Sequence, residues 1–114
     1  MGQREATVGW GGYEFTVQRE SPVPSGWRDE LSVRGPFEAF GDSDQERSFG
    51  SIYLDGRTHV AEAGWLPPKL RNPQARSKMH RALSDIADLL GLTGVHKVMS
   101  HMRVDQAARR ALGL

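Results

Sequence analysis

Cysteine is absent from this 114-residue chain, which excludes disulfides and thiolate metal sites. No apolar run approaches the roughly 18 residues a membrane-spanning helix needs, so no membrane partner is expected. The first residues, Met1 to Glu5, lack an apolar signal core. Gly2 follows Met1 as in a myristoylation start, but Ala6 stands where that motif has Ser or Thr. A soluble, cytoplasmic chain folding as a single domain over residues 1–114 is the resulting expectation. Catalytic motifs are missing as well. Ser77, Ser84 and Ser100 lie in no nucleophile elbow. His96 and His101 are five apart rather than four, and His59 and His80 are distant in sequence. No carboxylate pair completes a ligand set with them, so no metal is expected.

What the chain does have is a charge split concealed by its net charge of +1. Residues 1–56 carry 5 Lys or Arg against 10 Asp or Glu, whereas residues 57–114 carry 10 against 4. All four histidines fall in the basic half. Such asymmetry points to a charged macromolecular partner, protein or nucleic acid.

Nearly all the turn signals sit in the first two thirds of the chain, which points to short strands first and helices later. Residues 6–19 read as a hairpin: Val8 and Trp10, then Tyr13, Phe15 and Val17, alternate with small or polar residues around Gly11-Gly12. Two prolines and a glycine make residues 21–26 a loop. A strand is expected over 28–34, and Phe37 to Phe40 suits either a short strand or a helical turn. A second hairpin pairs 49–54 with 57–65 across Asp55-Gly56, read as a two-residue type I′ turn. That register sets Leu54 against Arg57 and Ile52 against His59, with apolar residues on both faces, as in a central pair of strands. Asn72-Pro73 supplies a cap and a first-turn proline for a helix over 73–90. Met79, Ala82, Leu83, Ile86, Leu89 and Leu90 form its apolar face, and Gly91-Leu92 its stop. A shorter helix is expected over 105–112, capped by Asp105 and closed by Gly113. The expected fold is therefore α+β: an antiparallel sheet built from two hairpins, packed on one long helix, with a short C-terminal helix.

Residues 95–104 fit a strand or a helix equally well, and each choice carries a resemblance. As a strand, they give residues 48–114 an order that resembles the central part of the GNAT acyltransferase fold. Trp65-Leu66-Pro67-Pro68 then occupies the exit from a central strand, and Gln74 to Met79 the place of that family's pyrophosphate loop, with Ser77 and Met79 where the family has glycines. Gln106 to Leu114 resembles its helix ending in Leu-Gly-Phe. The resemblance implies acetyl-CoA as cofactor and Glu62 as general base; no cofactor is expected otherwise. As a helix, residues 84–103 resemble a helix-turn-helix, with Leu92-Thr93-Gly94 as the turn and His96, Lys97 and Ser100 presented to DNA.

The residues that all these readings share are cations. Lys69, Arg71, Arg76, Lys78 and Arg81 crowd one helix start, where the helix dipole adds positive potential. They form a candidate site for phosphate, nucleic acid or an acidic protein surface. Asp42, Asp44 and Glu46, in the loop 41–47, form a candidate acidic contact. Trp10, Trp27, Trp65 and the other aromatics concentrate in or near the strands, where any left exposed would mark a partner surface. The expected function is a small non-enzymatic binding or regulatory module.

Overall fold

The computed structural model describes residues 2–43, 45–93 and 104–114. Strands β1 (Gly2–Trp10), β2 (Tyr13–Ser21), β3 (Glu30–Pro36), β4 (Glu46–Tyr53) and β5 (Thr58–Val60) form one antiparallel sheet in the order β1-β2-β3-β4-β5. Helix α1 (Pro73–Leu89) and helix α2 (Gln106–Leu112) complete it as an α+β fold.

One face of the sheet is apolar. Ala6, Val8, Phe15, Val17, Leu31, Val33, Ile52 and Val60 are buried on it, as the alternation in each strand requires. Helix α1 lays Ala75, Met79, Ala82, Leu83 and Ile86 against this face, chiefly over β4 and β5, while α2 packs Ala108 and Leu112 near β1. The register slips between Val33 and Arg34, where β4 carries an extra residue, so Phe49 and Gly50 are both buried in succession. Phe49 joins Phe15, Phe40 and Trp10 in an aromatic cluster with centroid spacings of 4.8 to 6.1 Å. Trp10 finishes its own hydrogen bonding by donating Nε1–H to Asp85 of α1 at 2.8 Å.

The helix ends are satisfied one by one. Asn72 accepts the N–H of Ala75 at 2.8 Å, and Asp105 accepts that of Ala108 at 3.0 Å. Gly91 and Gly113, both at positive φ, close α1 and α2 with Schellman bonds from Leu92 to Ala87 and from Leu114 to Arg109. Arginines then cap the remaining carbonyls. Arg109 donates to the carbonyl of Leu90, and Arg19 donates to those of Leu112 and Gly113 at 2.9 and 3.0 Å. The Asp105 N–H also donates to the carbonyl of Leu89 at 2.7 Å, so α2 begins against the end of α1.

Three expectations are corrected. The first hairpin turns at Gly11-Gly12 but extends further, from Gly2 to Ser21, and the third strand lies two residues later than 28–34. The second hairpin has a three-residue turn: Tyr53 N–H donates to Arg57 and Gly56 N–H donates to Tyr53, so Ile52 pairs with Thr58 and Ser51 with His59. A type I′ turn needs positive φ at both central residues. Here only Gly56 adopts it, at 91°, because the Asp55 carboxylate is tied to the backbone N–H of Arg57 at 3.0 Å and to its Nε at 2.7 Å. Finally, β5 is a three-residue edge strand rather than a long central one. Ala63–Trp65 forms a 3₁₀ turn instead. Phe37–Phe40 takes the helical alternative, also as a 3₁₀ turn. The question of strand or helix at 95–104 lies outside the described residues apart from Val104, and with it the reading helix proposed for His96, Lys97 and Ser100.

Candidate functional site

The basic cluster begins on the connection between β5 and α1, which is short of regular structure but tightly fixed. Pro67 and Pro68 end the extended chain, and Pro68–Leu70 turns once as a 3₁₀ helix that buries Leu70. Arg71 donates Nε–H to the carbonyl of Leu66 at 2.7 Å, and Asn72 donates to that of Lys69 at 2.8 Å while capping α1. Arg76, one turn into the helix, reaches back to the carbonyl of Ala61 at 3.3 Å. Two of the five cations thus serve partly to hold the segment in place. Lys69, Lys78 and Arg81 make no such bond to a described residue, and all five side chains are exposed.

Lys78 and Arg81 line an open groove of roughly 570 Å³ with Phe40, Asn72, Gln74 and Ser77. Gln74, Lys78 and Arg81 share this face by the i, i+4, i+7 spacing of the helix. The ion pairs among the described residues are Arg19–Asp29 and Arg57–Asp55, and neither involves a cation of the cluster. The charge runs against the helix dipole. The first turn of α1 has no acidic residue and the last turn no basic one, while Asp85 and Asp88 occupy the C-terminal half. Positive potential from the dipole and from the side chains therefore adds at the same end. Trp65 lies just before this segment and is 74% exposed.

The other candidates fare differently. Asp42 is buried at 8% exposure, its backbone N–H bound to the carbonyl of Phe37, and so offers no contact surface. Asp44 lies outside the described residues, and Glu46 is exposed at the start of β4. Glu62 is exposed and stands before the 3₁₀ turn at 63–65, off the strand on which it was expected. His59 and His80 are exposed, and no group of three metal-ligating side chains converges among the described residues. Of the aromatics, Phe15, Phe37, Phe40 and Phe49 are core, Trp10 and Tyr13 are half-buried, and Trp27 and Trp65 are open to solvent. Sequence reasoning missed Phe40 as a wall of the groove and Arg19 as a helix cap, since nothing local signals either contact.

Among the described residues two groups have shifted acidities, both through arginine–aspartate pairing. The hydrogen bond with Asp29 holds the Arg19 guanidinium above its ordinary range, against the opposing effect of burial. The backbone N–H of Arg57, then its side chain, hold the Asp55 carboxyl below the usual aspartate value. Neither belongs to the basic cluster; both serve the fold.

No helix among the described residues is long and apolar enough to cross a membrane. No family model matches the chain, and neither a curated protein nor a solved structure is similar to it.

Proposed function

We propose that this chain is a non-enzymatic binding module whose exposed cations at the start of α1 engage the anionic surface of a macromolecular partner. The observation that carries the reading is the combination at one pole: Lys69, Arg71, Arg76, Lys78 and Arg81 are exposed and free of ion pairs with described residues, and they sit where the helix dipole is also positive. Folding alone is served better by acidic residues in that position, so the arrangement supports a role in contact. Complementary charge chiefly supplies orientation and association rate. Trp65, exposed on the connection that leads into α1, offers apolar area that adds holding energy.

The test is binding of a labelled single-stranded oligonucleotide and a labelled glutamate-rich peptide, measured by fluorescence anisotropy. The Lys78→Gln/Arg81→Gln double variant changes two exposed side chains and leaves the core intact. It should weaken the bound probe about tenfold, as loss of two solvent-exposed ionic contacts gives. Which probe binds identifies the partner as nucleic acid or acidic protein. Failure of both probes, or an unchanged affinity in the variant, contradicts the proposal. Turnover of acetyl-CoA by the purified chain, lost in Glu62→Gln, would establish the acyltransferase reading instead.

A further inference from the structure

The loop between β2 and β3 folds over a corner of the sheet's helix-free face and encloses a second cavity. This pocket, roughly 130 Å³, is lined by Gln18, Glu20, Trp27, Arg28, Glu30 and Ser32 among others. Trp27 is 69% exposed, although a tryptophan gains by burial wherever packing allows. Gln18 and Ser32 are paired across β2 and β3, as are Arg19 and Leu31. One residue beyond the last of these pairs, Glu20 and Glu30 both line the pocket. Two carboxylates lining one cavity repel each other. Neither glutamate is in an ion pair with a described residue. Of the other charged residues that line the pocket, Asp29 is paired with Arg19 at 2.7 Å, and the Arg28 guanidinium lies 5.2 Å from the centre of the Tyr53 ring.

We propose that this pocket receives an arginine side chain from a basic segment of a partner protein. An open aromatic wall beside two carboxylates that have no ion-pair partner among the described residues suits a planar guanidinium. The cation stacks on Trp27 and donates its N–H groups to Glu20 and Glu30, relieving their mutual repulsion. Gln18, whose amide N–H donates to Glu5 at 2.8 Å, keeps its carbonyl oxygen as a further acceptor at the pocket's side. This site lies on the sheet, carries the opposite charge from the α1 pole and stands or falls independently of it.

The experiment follows the indole N–H signal of Trp27 by NMR, assigned through Trp27→Phe, during titration with three blocked peptides. They are identical except for a central arginine, lysine or citrulline. The arginine peptide should shift the Trp27 signal and saturate, with lysine weaker and citrulline inert. Glu20→Gln/Glu30→Gln should weaken the arginine peptide at least about tenfold, the loss expected for charge-assisted bonds. Trp27→Ala should do the same, followed by the signals of Glu20 and Glu30, with circular dichroism confirming that each variant is folded. No shift with the arginine peptide, equal binding of lysine or citrulline, or unchanged affinity in the double variant would each overturn the assignment.

Discussion

Gly50 of β4 sits between the backbone of β5 and Leu83 of α1. A Cβ built there would lie 2.5 Å from the carbonyl oxygen of His59 and 2.6 Å from a methyl of Leu83. The side chain of Leu83 can yield; the backbone of β5 cannot without moving the strand. Gly50→Ala should therefore destabilise the fold by about 1–3 kcal/mol, the usual cost of overpacking, measurable as a lowered midpoint in urea. A variant as stable as the parent would mean that α1 is not held against β4 at this distance. Some residues announced their roles locally. Asn72 with Pro73, and the glycines at 91 and 113, marked helix ends because capping involves only the next few residues. Gly50, Arg19 and Phe40 gave no such signal, because what decides them lies far away in sequence. The Asp55-Gly56 turn falls between. The glycine was legible, but the register depended on whether Asp55 would take positive φ or bond to Arg57, and the bond won.

Among the elements, α1 is the one whose sequence serves two demands. Its buried face, Ala75, Met79, Ala82, Leu83 and Ile86, is read directly from helical spacing. Its polar face places cations first and aspartates later, against the dipole. Gln74→Glu separates the demands, since it puts an acidic residue in the first turn, at the wall of the groove. It should stabilise folding by about 0.3–1 kcal/mol at low salt and at the same time weaken the anionic probe. Stabilisation with undiminished binding would show the groove to be merely solvated. The strand elements were less legible than the helices. Their number and antiparallel pairing followed from alternation and turns, but β5 was overextended, because Ala61 to Leu66 is apolar enough to pass for strand. The chain there makes a 3₁₀ turn, and Leu66 and Leu70 find burial beneath the connection rather than in the sheet.

At the scale of the molecule, the charge split along the chain becomes a separation in space. The helix-free face of β1 to β3 carries Glu5, Glu14, Glu20 and Glu30 against Arg34. Arg4 and Arg19 of the same strands are drawn to the opposite face, where Arg19 caps α2 and Arg4 lies against Gly113. The acidic half thus spends part of its positive charge on helix ends and leaves its outer surface negative, while the basic half exposes five of its ten cations at the α1 pole. The sequence carried this asymmetry in its counts; only the topology shows which face each charge reaches. Binding at that pole should be salt-dependent, because each contacted anion releases its counterions. The most direct test is the slope of the logarithm of affinity against the logarithm of salt concentration, measured for whichever anionic probe binds, in the parent and in Lys78→Gln/Arg81→Gln. The parent should lose affinity steeply as salt rises, and for an oligonucleotide the variant should flatten the slope by about one unit per cation removed. An affinity indifferent to salt, or a slope the variant leaves unchanged, would contradict the assignment of the α1 pole as the binding surface.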